Sequence, residues 1–573
     1  MELTLSVKSK IEREGETLRR KNRLLRHYCL YYPSNLCIEL EPMSTMIPGY
    51  IGIDNGTQGL SVIFTNESLK VLASGFCSYG FVPNLPGGCY EQETTQWEGA
   101  LEDAMRQVQL VLPNMHVLSI GISGQMHGEV LADSSGMSLG PVRLWCDARN
   151  EAEGHELTAA CAVKFAKRAT ATRFLWTARN QTEKAAKTLH MTTPGGWLAY
   201  KLTGEWNVGI GEAAGIFPVD PVTKDYDQAK LKVYDAIVPP DVGIPPLASI
   251  LPTIKRAGQD AGSLNEQGAA LLNLPTGIPV AAAEGDQVAA LAGSLIGRPG
   301  MVSCSFGTSV CANIVGDDRA FEGVSPAVDH FCAADGKPIH MVWLRNGTTF
   351  LNTVVESYGG VMNTADDINA STFDKMMPEL VKAAPDCGGL IALPFMDDEP
   401  GLGVAVGGSA MILGWNPDNA TAGNVAKAAL LSTMFNLRLG CQVLDQQGFP
   451  RTELVLSGGL TKTPACSQIL ADVFNTPVSL LESAEEGSSW GAAILAKYRF
   501  SLVATTTTST NDDGDTTKVT GAVDWPTFLE TISTEARHQR FDPNPAAVPV
   551  YERLFVRYQK LIQLQPALTQ VSL

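Results

Sequence analysis

The stretch that decides the fold covers residues 50–64 and reads YIGIDNGTQGLSVIF. An apolar strand ends at Asp54, a turn containing Gly56 and Gly59 follows, and a second apolar strand leaves the turn. Glycines let a backbone turn tightly beside a ligand, and the N–H groups of such a turn, with the Thr57 hydroxyl, can bind phosphate oxygens. The stretch therefore predicts a phosphate-binding β-hairpin. Asp54 either holds a metal ion, directly or through water, or only satisfies the turn amides.

The same pattern occurs again about 250 residues further along the chain. Residues 301–313 read MVSCSFGTSVCAN, again a strand, a Gly-Thr turn and a strand. A third element, LVLSGGLT at residues 454–461, places a Gly-Gly turn at the end of a buried strand, where it can lie flat against an adenosine. Two such hairpins so far apart predict an internally duplicated protein, with one hairpin per domain holding a nucleotide phosphate chain from both sides.

Further motifs follow one another in a fixed order. They are GISGQMHG at 121–128, LWCDAR at 144–149, LTGE at 202–205, EAAG at 212–215 and EGDQVAA at 284–290. With these motifs and the hairpins, the chain resembles the FGGY carbohydrate kinases of the actin-like sugar-kinase superfamily, most closely the xylulokinase-like members. The resemblance runs from about residue 49 to 498. It implies an α/β fold of two actin-like (ribonuclease H-like) domains with an ATP and sugar cleft between them.

Asp286 is the expected catalytic base. It follows an apolar strand at 278–283 and Gly285, and the resemblance places the family's catalytic aspartate here. A reference pKa of about 3.9 would leave the carboxylate ionised at neutral pH and ready to accept a hydroxyl proton. The alternative is that Asp286 only caps the helix that follows. Glu284, which would share a strand face with Asp286, is a rival carboxylate.

The resemblance implies that the sugar site lies in the first domain. Gln125 and His127 are expected to hydrogen-bond sugar hydroxyls, and Met126 to offer an adaptable apolar wall. Gln287 is a further substrate contact, at a position that is often Asn in xylulokinases. Trp145 and Asp147 are expected to border the pocket. Arg179 either reaches a distal sugar hydroxyl or is an exposed helix residue.

The resemblance also implies ATP and Mg²⁺, with Asp54 as the metal ligand. The expected nucleotide contacts are Thr57, Gln58, Gly307, Thr308, Ser309, Gly458, Gly459 and Leu460. Many relatives carry Lys or Arg where this chain has Ser61. Because the net charge of the chain is −17, few cations are expected near the nucleotide, which is expected to be bound through backbone amides, hydroxyls and the metal ion.

Composition narrows the class of partner. The net charge of −17, from 43 basic and 60 acidic residues, argues against nucleic-acid and anionic-membrane partners, because no basic excess is present to displace counterions. The chain has no run of 18 apolar residues, so no membrane span is predicted. The 12 cysteines are scattered without a Cys-x-x-Cys pair, which favours a reducing, cytoplasmic location.

The predicted organisation has three parts. Residues 1–46 form a basic N-terminal extension, expected to be poorly ordered; a targeting segment, a dispensable extension and a start-site artefact all stay open. Residues 47–292 form the first domain and 293–573 the second. Within the second, residues 504–517 are Thr-rich and then acidic, which predicts a disordered surface loop. A homodimer is one assembly open to such a chain.

The leading hypothesis is an ATP-dependent kinase that transfers the γ-phosphoryl group to a hydroxyl of a ketopentose, with D-xylulose as first choice. D-Ribulose and sedoheptulose are the alternative substrates. An actin-like or chaperone-like ATPase switch is a hypothesis from another class, and a non-catalytic sugar sensor is a third. The GQMHG motif and Asp286 favour the kinase.

Overall fold

Two β-sheets organise the part of the chain that the structure describes. The computed structural model describes residues 45–319, 321–358, 371–481, 487–510, 516–520 and 523–572. The predicted N-terminal extension, residues 1–46, lies outside the described residues except for its last two.

The secondary structure alternates between short strands and helices. The strands are β1 Ile47–Asn55, β2 Gly59–Asn66, β3 Val71–Ser78, β4 Glu91–Gln92, β5 Met115–Gly124, β6 Val130–Ala132, β7 Val142–Arg143, β8 His190–Thr192, β9 Asn207–Gly209, β10 Thr253–Lys255, β11 Glu284–Gly285, β12 Met301–Phe306, β13 Val310–Val315, β14 Val328–Cys332, β15 Pro338–Leu344, β16 Ile391–Leu393, β17 Met411–Leu413, β18 Glu453–Gly458, β19 Val478–Leu481, β20 Thr506–Thr510, β21 Thr516–Thr520 and β22 Arg537–Phe541. The helices are α1 Thr94–Val111, α2 Glu151–Cys161, α3 Thr170–Asn180, α4 Thr182–Lys187, α5 Pro194–Thr203, α6 Ile210–Ile216, α7 Gln228–Ile237, α8 Leu247–Ile250, α9 Glu266–Leu272, α10 Asp286–Gly293, α11 Thr349–Ser357, α12 Thr372–Lys382, α13 Ala422–Gln446, α14 Pro464–Phe474, α15 Gly487–Thr505, α16 Trp525–Ala536, α17 Val548–Ile562 and α18 Gln565–Ser572. Short 3₁₀ helices cover Pro240–Val242, Cys387–Gly389, Pro400–Leu402 and Gly459–Lys462.

The first sheet has the strand order β11-β5-β1-β2-β3. Strand β1 pairs antiparallel with β2 and parallel with β5, and β11 extends the parallel side. Helices cover both faces, which explains why β1 is apolar along its length: Tyr50, Ile51 and Ile53 are all buried. We call residues 47–293 together with α15 the first lobe.

The second sheet repeats this arrangement in the order β14-β15-β13-β12-β18-β19-β22. Here β12 pairs antiparallel with β13 and parallel with β18, as β1 does with β2 and β5. Each sheet therefore has a hairpin beside a parallel strand, and the predicted duplication of an α/β unit is confirmed. We call the remaining described residues from 301 onward the second lobe.

Helix α15 comes from the second half of the sequence but packs on the first sheet, against β1 and β5. The approach is close: a Cβ on Gly52 would lie 1.9 Å from the Ser489 carbonyl oxygen, and one on Gly121 would lie 1.9 Å from that of Ala492. The Trp490 indole N–H also donates to the Leu69 carbonyl at 2.9 Å. The sequence boundary near residue 293 therefore does not separate the two lobes completely.

The Thr-rich segment near the C-terminus differs from its sequence interpretation. The composition predicted a disordered loop over residues 504–517, whereas α15 continues to Thr505 and the strands β20 and β21 pair antiparallel. Residues 511–515 lie outside the described part. Threonine is β-branched and favours extended backbone, which accounts for strands in so polar a segment. Among the helices described, none is both long and apolar enough to cross a bilayer.

Candidate active site

The turn of the first hairpin is held by a chain of side-chain hydrogen bonds. Thr57 Oγ1 accepts from the Trp145 indole at 3.0 Å and donates to Gln125 Oε1 at 3.2 Å. The Gln92 amide donates to the Thr57 carbonyl at 2.7 Å and accepts from Gln125 Nε2 at 2.9 Å. Gln58, at the tip, is exposed. The turn is thus held by these side chains at Thr57 and exposed at its tip, as a phosphate-binding turn must be.

Two carboxylates meet at the edge of the first sheet. Asp54 is the last residue but one of β1 and Asp286 follows β11, and the carboxyl ends of parallel strands lie at one edge of a sheet. Ser123 Oγ donates to Asp54 Oδ1 at 2.8 Å, and the Gln287 backbone N–H donates to Asp286 Oδ1 at 2.8 Å. Burial, and then the charge of Asp54, raise the pKa of Asp286 to about 7. Asp286 is therefore less acidic than its sequence context predicted and titrates near neutral pH.

Glu284, the rival carboxylate, is occupied elsewhere. Its side chain is buried and accepts from the backbone N–H groups of Glu212 at 2.9 Å and Gly211 at 3.5 Å, at the start of α6. Burial raises its pKa to about 8. Because both oxygens are directed at a helix end inside the first lobe, Glu284 is not the group that meets a substrate hydroxyl.

His127 has an unusual backbone conformation, with φ of +69° in the left-handed region. Arg173 holds this turn, because its guanidinium donates to the carbonyls of His127 at 3.3 Å and Trp145 at 2.7 Å. The imidazole Nδ1 lies 2.9 Å from the Gly215 carbonyl, which can only accept, so Nδ1 carries the proton and Nε2 is left as an acceptor. Burial and the charge of Arg168 lower the pKa of His127 to about 3, so the ring is neutral.

Met126 explains two glycines of the sequence motifs. A Cβ on Gly285 would lie 2.2 Å from Met126 Cγ, and a Cβ on Gly215 would lie 2.9 Å from Met126 Cε. Any larger residue at either position would displace the thioether, which is buried. Gln125 is also fully buried and its amide is used by Gln92 and Thr57, so it supports the turn rather than offering an open contact to sugar.

The second hairpin is supported from behind by a close backbone approach. The Gly347 N–H donates to the Thr308 carbonyl at 3.0 Å, and the Thr348 N–H donates to the Gly307 carbonyl at 2.8 Å. A Cβ on Gly347 would lie 2.4 Å from the Gly307 carbonyl oxygen. Thr308 itself is exposed and Ser309 is half-buried, so the tip of the turn faces open space as in the first hairpin.

The residues of the Gly-Gly turn at the end of β18 differ in conformation and exposure. Gly458 has φ of +83°, and a Cβ there would lie 2.8 Å from the Phe306 carbonyl oxygen, so the turn itself requires glycine. Gly459 is exposed, and a Cβ placed on it would lie 3.9 Å from its nearest neighbour, the Phe306 carbonyl oxygen. Leu460 is buried in the apolar core of the second lobe, which leaves only its backbone to meet a nucleotide.

Asp147 and Arg179 both have ion-pair partners within the first lobe. Asp147 is fully buried and accepts from the Arg149 guanidinium and from the Tyr90 N–H at 2.9 Å. Arg179 pairs with Glu156 at 2.7 Å. Ser61, which replaces a basic residue of many relatives, lies 2.8 Å from the Ser489 hydroxyl of α15.

Sequence reasoning missed three residues that shape the site: Gln92, Arg173 and Gly347. Gln92 lies in a two-residue strand and Gly347 in an irregular segment, so neither carries a local motif. Arg173 is fully buried in α3, where its position in the sequence would suggest an exposed helix residue. Of the three, only Gly347 carries a signal in the sequence: it is a glycine that follows Asn346, close to the end of the apolar strand β15.

Ion pairs join the two lobes close to His127. Asp329, on β14 of the second sheet, lies 2.7 Å from Lys164 and pairs with Arg168, both from the segment between α2 and α3. Although burial alone would raise it, the charges of Arg168 and Lys164 lower the pKa of Asp329 to about 2. The same Arg168 acts electrostatically on His127, so the bridge borders the predicted sugar contacts.

Two duplicated α/β lobes, paired hairpins and two carboxylates at a sheet edge are the arrangement expected of a two-lobe phosphotransferase. The family models for the N-terminal and C-terminal domains of the FGGY family of carbohydrate kinases match residues 49–293 and 302–500. The chain belongs to the FGGY family of carbohydrate kinases.

Individual relatives agree with this assignment. Xylulose kinase from Haemophilus influenzae is 28% identical over 476 residues, covering 78% of this chain and 90% of that protein. Xylulose kinase from Escherichia coli is 25% identical over 460 residues, covering 78% and 89%. Among solved structures, xylulose kinase from Rhodospirillum rubrum gives a TM-score of 0.73 at 20% identity, covering 91% of this chain and 100% of that one. Plasmodium falciparum glycerol kinase with ADP gives 0.72 at 19% identity, covering 91% and 99%.

Proposed function

We propose that this carbohydrate kinase transfers the γ-phosphoryl group of ATP to a hydroxyl of D-xylulose, giving D-xylulose 5-phosphate. The observation that carries the chemistry is Asp286, a carboxylate of pKa about 7 beside Asp54 at the open edge of the first sheet. The choice of sugar is supported by relatives named xylulose kinase that match over most of the chain. D-Ribulose and sedoheptulose are the alternative acceptors.

Asp286 would accept the proton of the attacking hydroxyl. A pKa near 7 suits this task, because a base works best when its pKa lies close to the working pH. His127 Nε2 would accept a hydrogen bond from a second sugar hydroxyl and fix the orientation of the ring or chain. Met126 is fixed between Gly215 and Gly285 and would close the apolar side of the pocket.

The phosphates would lie between the two hairpin turns. The backbone amides around Thr57 and Gln58 would face them from the first lobe, and those of Gly307, Thr308 and Ser309 from the second. The exposed face of Gly459 would meet the adenosine. Most of the rate enhancement in such transfers comes from positioning and charge stabilisation.

The residues present fit a magnesium ion. Asp54 supplies a hard carboxylate oxygen, and Ser123 hydrogen-bonds Oδ1, which leaves Oδ2 for a cation or its water. Within the described residues no cluster of three or more His, Cys, Asp or Glu side chains could hold a metal ion, but Mg²⁺ is held by one or two carboxylates with phosphates and water. When bound, Mg²⁺ would neutralise phosphate charge during transfer.

A coupled ADP-release assay tests the proposal on purified full-length protein with a panel of ketoses, aldoses and glycerol. We expect D-xylulose to raise ATP consumption well above the basal rate, with mass spectrometry showing one phosphoryl group on the sugar. Stimulation by D-ribulose or sedoheptulose instead would move the assignment to the alternative acceptor. Equal ATP consumption with and without every sugar would favour the ATPase-switch hypothesis, and sugar binding without turnover would favour a sensor.

The compartment and the assembly are also proposals. We infer a cytoplasmic location from the scattered cysteines and the acidic composition. For the assembly, a homodimer is the state to be tested. Cell fractionation and light scattering on the eluted protein are the measurements that check them.

A further inference from the structure

A cavity of about 510 Å³ lies in the first lobe, apart from the hairpins and Asp286. Its polar lining comes from Glu91, Arg143, Asn180, Gln181, Thr182, Glu183 and Lys184. Strands β4 and β7 form one wall, with Glu91 paired to Arg143, and the end of α3 with α4 forms the other. A pocket of this size, rich in donors and acceptors, is suited to a small hydroxyl-bearing ligand.

Two cationic groups of this cavity have donors to spare. Arg143 is buried, and its Nε and Nη2 pair with Glu129 at 2.9 and 2.8 Å, but Nη1 has no hydrogen-bond partner among the described residues. Lys184 Nζ donates to the Pro141 carbonyl at 3.1 Å and forms no ion pair within the described part of the chain. Burial lowers the pKa of Lys184, which an anion beside it would reverse. Unused donors on the buried Arg143 and the half-buried Lys184 call for acceptor oxygens.

The cavity walls continue directly into the active site. Glu91 precedes Gln92, which donates to the Thr57 carbonyl at 2.7 Å. Arg143 is two residues before Trp145, which donates to Thr57 Oγ1 at 3.0 Å. Arg143 Nη2 also donates to the carbonyl of Arg173, whose side chain holds the His127 turn. A ligand that moves either wall would therefore act on the first phosphate turn and on the sugar contact.

We propose that this cavity is a second ligand site, which binds a sugar bearing a phosphate or carboxylate group and is coupled to nucleotide binding. The anionic group would face Lys184 and Arg143, and hydroxyls would meet Glu91 and the amide side chains of Asn180 and Gln181. Coupling is reciprocal, so the ligand and the nucleotide change each other's affinity by one common factor.

Calorimetry on the full chain, with ribose 5-phosphate, ribonate and neutral ribose as probes, tests the site in the presence of a saturating non-hydrolysable ATP analogue and D-xylulose. We expect at least one acidic sugar to bind saturably and neutral ribose to bind more weakly. The two acidic probes separate a phosphate from a carboxylate preference.

Variants locate the binding. Lys184→Gln is expected to weaken the acidic probe about tenfold or more, as loss of a charge-assisted hydrogen bond does. Thr182→Trp, at an exposed position on the rim, should fill the cavity and abolish binding. Lys187→Gln is the matched control, because Lys187 lies on the same helix as Lys184 but does not line the cavity; it pairs with Glu183 at 2.7 Å.

The proposal is overturned if no acidic sugar binds saturably, if ribose binds as tightly, or if Lys184→Gln and Thr182→Trp bind as the unmodified protein does. Circular dichroism and the melting temperature show whether the variants are folded. Since binding is measured without turnover, its failure is distinct from a failure of the proposed kinase reaction.

Discussion

Asp54, near the end of β1, and Asp286, directly after β11, lie at the same edge of one sheet, and after burial the charge of Asp54 is the second cause that raises the pKa of Asp286 to about 7. The proposed metal ligand thus tunes the proposed base. A carboxylate whose acidity is shifted by burial and by a neighbouring charge is a frequent feature of catalytic sites.

Replacing Asp286 tests the base directly. Asp286→Asn is expected to keep ATP affinity but to lower turnover by about 10²–10⁴, the usual contribution of a positioned base. Glu284→Gln is the control, because Glu284 faces the start of α6; it should change thermal stability more than turnover. Near-normal turnover of Asp286→Asn would remove the base from the mechanism.

The rate should depend on pH with a defined sign. A base must be deprotonated, so kcat/KM for the sugar is expected to fall as pH drops through about 7. Asp54→Asn removes a negative charge beside Asp286, which lowers the pKa of Asp286. The fall of the residual kcat/KM on the acid side should therefore move to lower pH. If kcat/KM of Asp54→Asn falls at the same pH as that of the unmodified protein, the effect of Asp54 on Asp286 is contradicted.

The same pKa has a consequence for stability. Because the folded pKa of Asp286 is raised, the unfolded chain loses its proton first, and stability is lost as pH rises from about 4 towards about 7. Asp286→Asn should therefore melt at a higher temperature than the unmodified protein at pH 8 and show little difference at pH 4. Differential scanning fluorimetry across pH measures this, and equal melting temperatures at pH 8 would contradict it.

His127 should bind sugar as a neutral group. His127→Ala is expected to raise KM for the sugar about tenfold, the effect of one lost hydrogen bond, and to change KM for ATP less. Because the pKa of His127 is about 3, its protonation should add no step to sugar affinity between pH 5 and 8. His190→Ala, at a histidine that stacks on Trp206, is the control.

The Gly-Gly turn permits a comparison of two neighbours. Gly459→Leu adds bulk on an exposed face with no backbone strain, and should raise KM for ATP about tenfold or more while leaving sugar binding intact. Gly458→Ala forces a side chain into the left-handed region against the Phe306 carbonyl, and should lower the melting temperature, with about 1–2 kcal/mol lost to backbone strain. An unaltered KM for ATP in Gly459→Leu would place the adenosine elsewhere.

The hairpins were predictable because their signals are local. Strand, turn and strand lie within some fifteen residues, and the positions of Asp54 and Thr57 follow from the turn itself. The second copy at Thr308 then indicated duplication, and the register of both sheets confirms it.

Long-range partners could not be predicted from the sequence. Gln92, Arg173 and Gly347 act on the site through hydrogen bonds to residues at least 28 positions away, and no local pattern encodes such pairs. The pKa of Asp286 depends on burial and on Asp54, so a reference value underestimated it. Gln125 was predicted to contact sugar because it lies in a motif that resembles one of the FGGY kinases. Its burial depends on how the first lobe packs, which the motif does not show.

Helix α15 has a consequence for biosynthesis. The strands β1 and β5 that it covers are complete by residue 124, but α15 ends at Thr505, so a ribosome adds several hundred residues before one face of the first sheet can be closed. Until then that face exposes the apolar strand surface and the glycines at 52 and 121. Any fragment that stops near residue 293 would keep this surface open and is expected to aggregate, so expression trials and chaperone dependence should be judged on the whole chain.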